Sequence, residues 1–530
     1  MTFTHPLSIF TSWLAPGRGT GTSLDPALAT GTGGASAVEA SFTERYRPQF
    51  HYTPERNWMN DPNGLVYHEG VYHLFYQYNP AGRDWGNLSW GHATSTDLVH
   101  WTTHPLAIPA TDEKMIFSGS IVVDHDNAAG FGTDDEAPLV AIYTSHYTRP
   151  DGSFNQAQSL AYSTDEGKTW TTYAGNPVLD HPDPDFRDPN VFWYEPGQKW
   201  VMAVVLAKRH TVQFYTSTDL VHWTHLNDFG PAGETGGVWE CPALFRVPVE
   251  GRPGQAHWIL KVDLNPGDVS GAQYFVGSFD GTSFSSHAPM PGDAPRWADH
   301  GADFYAAIPW NEGEDDEGRP RWIGWMGNWR YADRLPTAPW RGSQTLPRAL
   351  HLRFVDGTPH LVQTPVEALK QLRASHVRVG ERGLDNETVS LAADDVAGTA
   401  LELLAEFEIG DAQTMGLRLR EGEGERTVVG YDAAARSVFV DRTAAGSVDI
   451  HEDFGGRDEA PLSPTDGRVT LRVFVDWSSV EVFANGGLQT LTHNIFPEPS
   501  SDGVSVFAEG GSARLLHLDA WPLRSIWRDR

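Results

Sequence analysis

The sequence predicts an all-β protein, a five-bladed β-propeller followed by a C-terminal β-sandwich. Three observations predict it. Helical periodicity is scarce, and most segments are short alternating or apolar runs bounded by Gly, Pro, Asn and Asp. A turn signature recurs: STDLVHW at Ser95–Trp101 and again at Ser217–Trp223, with looser copies STDEGKTW at Ser163–Trp170 and SFDGTSF at Ser278–Phe284. A second series interleaves with it: NDPNGLVY from Asn60, FSGSIVV from Phe117, RDPNVFWY from Arg187, ECPALFR from Glu240 and ADFYAAI from Ala302.

Each copy of the first series follows a strand-like run and ends in an aromatic. Ser, Thr and Asp favour the reversal of one strand into the next, and the aromatic plugs the space between neighbouring sheets. Each copy of the second series is a polar start, a small residue or Pro, and then an apolar strand. Anchored on Asp61, Gly119, Asp188, Glu240 and Asp303, the steps are 58, 69, 52 and 63 residues, each long enough for a four-stranded antiparallel sheet. Five separate sheets would leave their edges open to aggregation. Radial packing solves this, with the first strand of each blade lining a central channel. The starts of those strands then meet at one mouth. Asp61, Asp188 and Glu240 stand at three of the starts. Singly, such acids read as turn punctuation; at matching points of three blades they become one cluster.

Residues 1–44 are Gly-, Thr- and Ala-rich and are expected to be a poorly ordered leader. Its mildly apolar stretch, Pro6 to Ala15, has no Lys or Arg before it, so no clear secretory signal is present. No apolar run approaches the ~18 residues of a spanning helix. The expected location is therefore cytoplasmic, or outside the cell by a route without a recognisable signal. The propeller is expected over 45–355 and a linker with a short helix (VEALKQLRAS, Val366–Ser375) over 356–375. A β-sandwich over 376–530 follows from its period-two strands.

The net charge of −30, from 39 Lys+Arg against 69 Asp+Glu, argues against nucleic acid and an anionic membrane as partners. A neutral substrate is not repelled by such a surface. The single cysteine, Cys241, rules out an intrachain disulfide and reads as a small buried side chain. The His100/His104 and His222/His225 pairs sit at blade turns and read as structural, not as metal ligands. No metal or cofactor is expected.

Two carboxylates flanking a sugar bond suffice for glycoside hydrolysis: one protonates the leaving oxygen, and the other attacks the anomeric carbon or activates water. The roles require unequal pKa values. Glu240 lies among Trp239, Cys241 and Leu244, and apolar surroundings favour the protonated acid. Asp61 lies among turn amides, and Asp188 follows Arg187, so both are expected to be ionised. A third carboxylate can hold sugar hydroxyls and steady an oxocarbenium-like transition state.

Together WMNDPNG, FSGS, FRDP, WECP and PWR resemble glycoside hydrolase family 32, the invertase, inulinase and levanase family, over roughly residues 46 to 350 and more weakly through Leu471–Gly487. WGNLSWGHA, GADFYAA and GWMGNW are most similar to its exo-inulinase and levanase branch. The resemblance implies that Asp61 is the nucleophile, Glu240 the acid/base, and Asp188 the transition-state stabiliser, holding ring hydroxyls with Arg187. Asn60, Gln77, Trp85, Phe117, Ser118 and Trp340 would line the pocket for a terminal fructosyl unit, with Asp303 as a further candidate. It implies a fructan, fructo-oligosaccharide or sucrose substrate, cleaved with retention through a fructosyl-enzyme. Asn190 departs from the apolar residue expected there.

Three other readings remain open at this point. One is fructosyl transfer on the same site. Another is an inverting arabinan- or xylan-type propeller hydrolase, in which the carboxyls stand about 6.5–9.5 Å apart instead of about 5–5.5 Å. The third is a sugar-binding protein without catalysis.

Overall fold

The computed structural model describes residues 41–527 apart from 134–135, 266–269 and 288–294. Of the expected leader, residues 1–40 lie outside the described residues. Residues 41–44 join the fold, where Glu44 pairs with the buried Arg47 guanidinium at 3.0 Å.

Five antiparallel sheets form the N-terminal part. Their innermost strands are Asn57–His68, Lys114–Val123, Phe186–Tyr194, Val238–Pro248 and Tyr305–Pro309, in blades one to five. Consecutive strands pair outward in each blade, four deep. The ring closes where Trp340–Arg341, from blade five, pairs in parallel with Asn57 and Trp58 of blade one. This gives blade one a fifth strand and covers its edge.

The repeated turn works as its residues suggest. Asp97 Oδ1 accepts the N–H groups of Val99 and His100 at 2.9 and 2.8 Å, and Asp219 does the same for Val221 and His222 at 3.0 and 2.8 Å. The aromatic that follows is a wedge between blades. Trp101 of blade one stacks 6.4 Å from Trp310 of blade five, Trp170 of blade two meets Phe75 of blade one at 5.4 Å, and Phe284 of blade four meets Phe229 of blade three at 5.2 Å. The turn histidines pair locally: His100 Nδ1 with Asp97 and His222 Nδ1 with Asp219, each at 2.8 Å.

The boundary differs from the expected one. Thr358–Pro365 pairs along Arg348–Val355 as the outer strand of blade five, so the propeller runs to Pro365. Val355–Thr358 is a tight hairpin turn, and its Asp-Gly pair marks that turn, not the end of the domain. The expected helix is a short 3₁₀ segment, Glu367–Leu372, which buries Leu369 and Leu372. Beyond it, two sheets face each other as a sandwich over an aliphatic core that includes Leu403, Leu417, Val473, Val482 and Val506.

The two domains share a buried ionic seam. Arg348 donates to Asp299 at 2.9 Å and to Glu481 at 2.6 Å, with all three side chains fully buried. His51 sits between Asp476 (2.8 Å) and Glu481 (2.9 Å). Burial opposes charge on His51, but these two carboxylates outweigh it and push its pKa up to about 9.

Candidate active site

Every inner strand is interrupted near its start by a β-bulge, in which two residues oppose one. The pairs are Asn60–Asp61 against Gln77, Phe117–Ser118 against Thr144, Asp188–Pro189 against Val204, Cys241–Pro242 against Val262, and Ala306–Ala307 against Gly324. A bulge bends the strand and re-aims its side chains. Five of them at one level turn the channel mouth into a ring of residues that point inward. Pro189 and Pro242 fit because a bulged residue gives up its ladder bond, so no N–H is missed. The recurring small residue or Pro in the sequence falls in this bulge in blades two to five, and in blade one Pro62 follows it directly. Asp188, Cys241 and Ala306 take left-handed backbone there, with φ of 64°, 45° and 54°. Such strain in non-glycine residues concentrates at functional sites.

The bulges bring Asp61, Asp188 and Glu240 into one cluster. Asp61 Oδ2 accepts the Ser118 hydroxyl at 2.9 Å, while its buried Oδ1 has no hydrogen-bond partner among the described residues. Asp188 Oδ2 accepts the Cys241 N–H at 3.0 Å, and the Asp188 N–H goes to Thr144 Oγ1 at 2.9 Å. Glu240 is held at both oxygens, by Arg187 at 2.9 Å and by the Tyr305 hydroxyl at 2.6 Å. Arg187 also lies 3.7 Å from Asp188. The Cys241 thiol stands between two acids, 3.5 Å from Asp61 Oδ2 and 3.8 Å from Asp188 Oδ2. Burial, reinforced by Asp61 and Asp188, pushes its pKa well up, so it stays a neutral S–H donor. Behind it the fully buried Lys261 donates to the Cys241 carbonyl at 2.8 Å and pairs with Asp263.

The expected charge pattern is corrected on two counts. Glu240 is not in an apolar setting, because Arg187 and Tyr305 occupy its oxygens. Asp61 and Asp188 are not held low. Burial, then the nearby Glu240 charge, pushes Asp61 up to about 6, against the pull of Asn60 and Ser118. Burial pushes Asp188 up to about 7; Arg187 opposes this and Glu240 adds to it. Three buried carboxylates packed together, of which Arg187 contacts only Glu240 and Asp188, cannot all ionise cheaply.

The other candidates divide. Asn60 is buried beside Asp61, its Oδ1 accepting from Trp58 at 2.6 Å and its carbonyl from Gln344 at 3.0 Å. Gln77 faces the first bulge; it donates to Asn63 at 2.6 Å and leaves its own Oε1 unpartnered among the described residues. Trp85 is 44% exposed and meets the half-buried Phe117 edge-on at 6.2 Å. Two candidates lie elsewhere. Trp340 is 1% exposed, in the closing strand beneath the Arg47 guanidinium at 3.6 Å, so it has no open face for a sugar. Asp303 is fully buried at the domain seam, bonded to Arg442 at 2.7 Å and Tyr331 at 2.8 Å. It precedes the fifth inner strand, and Tyr305 takes the place just before the bulge that Glu240 holds in blade four. Sequence reasoning missed Tyr305, although YAAI carried the small-residue bulge signal. It also missed the apolar wall of Trp58, Leu88, Tyr305 and Trp325 with Trp329. Asn190, the unexpected polar residue, accepts the Leu244 N–H at 3.1 Å and ties blade three to blade four.

Comparison with known proteins agrees with this geometry. The profile described as "Glycosyl hydrolases family 32 N-terminal domain" matches residues 51–365, and "Glycosyl hydrolases family 32 C terminal" matches 367–522. A levanase of Bacillus subtilis (strain 168) is 47% identical, over 93% of this chain and 73% of its own. An extracellular exo-inulinase of Aspergillus niger is 42% identical, over 92% of this chain and 96% of its own. The crystal structure of exo-inulinase from Aspergillus awamori superposes with a TM-score of 0.85 at 40% identity, covering 92% of this chain and all of that one. A fructofuranosidase from Schwanniomyces occidentalis, complexed with fructose, gives 0.82 at 32% identity, covering 92% and 100%. A propeller of five bulged blades with three acids at its mouth, sealed to a sandwich and matched over both domains, thus has one assignment: the chain belongs to glycosyl hydrolase family 32.

Proposed function

We propose that the protein is an exo-acting β-fructofuranosidase. It removes terminal fructosyl units from inulin, levan, fructo-oligosaccharides or sucrose with retention of configuration. The observation that carries the reading is Asp61, with its Oδ2 steadied by Ser118, in the same cluster as a carboxyl held by two donors. The Asp61 carboxylate attacks the anomeric carbon, and Glu240 gives a proton to the departing oxygen. Water, relieved of a proton by Glu240, then releases fructose from the fructosyl-enzyme. Asp188 and Arg187 hold the ring hydroxyls as positive charge develops. Identities of 47% to a levanase and 42% to an exo-inulinase support both polymers as substrates.

The test is a time course on inulin, levan and sucrose, repeated with methanol as co-solvent. Fructose as the sole early product from the polymers, with methyl β-fructofuranoside in methanol, is expected. Short oligomers would overturn exo attack, and the α-methyl glycoside would overturn retention.

A further inference from the structure

Beyond the acids, a row of rings leads outward along blade two. Phe117 stacks on His146 at 4.5 Å and 14°, and His146 stacks on Phe154 at 5.3 Å and 21°. His146 lies opposite Met115 in the strand pairing, nearer the mouth than the Phe117–Ser118 bulge. The row is wired to the acid site. Arg187, already bonded to Glu240, donates to Gln156 Oε1 at 3.3 Å, and Gln156 Nε2 lies 3.2 Å from His146 Nδ1.

That chain settles the tautomer. A guanidinium only donates, so it must face the amide oxygen of Gln156. The amide nitrogen therefore faces His146 and donates, which leaves Nδ1 as an acceptor and puts the ring proton on Nε2. Burial, with Arg187 nearby, lowers the His146 pKa to about 4, so the ring stays neutral with this one N–H. Among the described residues nothing bonds Nε2, and it is not sealed from solvent. A rigid, half-buried ring thus offers a single fixed donor at the rim.

We infer that His146 Nε2–H is a hydrogen-bond donor to the leaving sugar, the unit beyond the scissile bond, and so a specificity residue of this enzyme. The terminal fructosyl unit occupies the floor between Asp61 and Asp188. The oxygen that leaves is protonated at Glu240, and the hydrogen-bonded path from Glu240 runs through Arg187 and Gln156 to His146. A sugar attached to that oxygen extends along this path, where the imidazole meets its hydroxyls. This rests on the fructosidase reading above.

The experiment compares kcat/KM on an inulin-type trisaccharide with kcat/KM on β-fructofuranosyl fluoride, whose leaving group has no hydroxyls. His146→Phe keeps the stack and removes the donor. The trisaccharide-to-fluoride ratio should fall about 2- to 10-fold, the range for one lost hydrogen bond. His146→Gln, which returns an N–H near the Nε2 position, should recover part of the ratio. A ratio unmoved in His146→Phe, or equally reduced in both variants, overturns the inference. If His146→Phe does not fold, the same ratio in His146→Leu decides. A parent enzyme that releases fructose from neither substrate would sink the fructosidase reading itself; an active parent with an unmoved ratio sinks only the role of His146.

Discussion

Asp61→Asn should make the protein more stable at neutral pH while abolishing its chemistry. Asp61 is 7% exposed, and its pKa is pushed from 3.8 up to about 6, first by burial and then by Glu240. A raised value means that the folded chain holds the proton more tightly than the unfolded chain. The associated stability is fully present below pH 4 and is lost as pH rises through 6. The difference between 3.8 and about 6 corresponds to about 3 kcal/mol at pH 8. Asparagine has no such ionisation, keeps the shape and still accepts from Ser118 through its carbonyl. The variant should therefore gain up to about 3 kcal/mol at pH 8 and almost nothing at pH 4. Melting temperatures of parent and variant across pH 4 to 8 read this directly. The two curves should meet at the acid end and diverge with pH. A variant equal to or below the parent at pH 8, or a gain that grows toward pH 4, would refute the electrostatic account of the site.

Other consequences are as specific. Ser118→Ala removes a donor to the ionised Asp61, so the acid limb of the kcat/KM profile, expected near pH 6, should move up by about one unit; a limb that stays or moves down contradicts Asp61 as the ionised nucleophile. Glu240→Gln should cost roughly 10²–10⁴ in turnover of fructans, and hydrolysis of the fluoride, which needs no strong acid, should suffer far less; equal losses would argue against proton donation. Asp303→Ala leaves Arg442 charged and buried at the domain seam and should cost about 3–5 kcal/mol of stability, with KM unchanged in the folded enzyme; a raised KM at unaltered stability would return Asp303 to the pocket.

Much of the fold is readable along the chain because propeller blades repeat locally. The Ser-x-Asp turn closes on its own backbone within a few residues, and its trailing aromatic has one gap to fill, so both recur visibly at Ser95 and Ser217. The last strand of blade five was harder to place. Its turn, Asp356–Gly357, looks the same whether it ends a domain or joins two strands of one sheet.

The gathering of Asp61, Asp188 and Glu240 at one rim was likewise within reach of the sequence, from the blade spacing together with the acid at the start of each of those three strands. Their charge states were not. A pKa depends on groups within a few ångströms and on the water excluded around them, and those groups come from separate blades: Tyr305 and Arg187 on Glu240, Ser118 on Asp61, Cys241 on Asp188. Asp303 shows the same divide. Its distance along the chain suits a fifth member of the ring, but the bulge follows Tyr305, two residues on, and Asp303 pairs instead with Arg442 of the sandwich. Local pattern tells where a strand begins and which residues start it. Which way those residues face, and what surrounds them, is set by bulges and by packing between segments far apart in sequence.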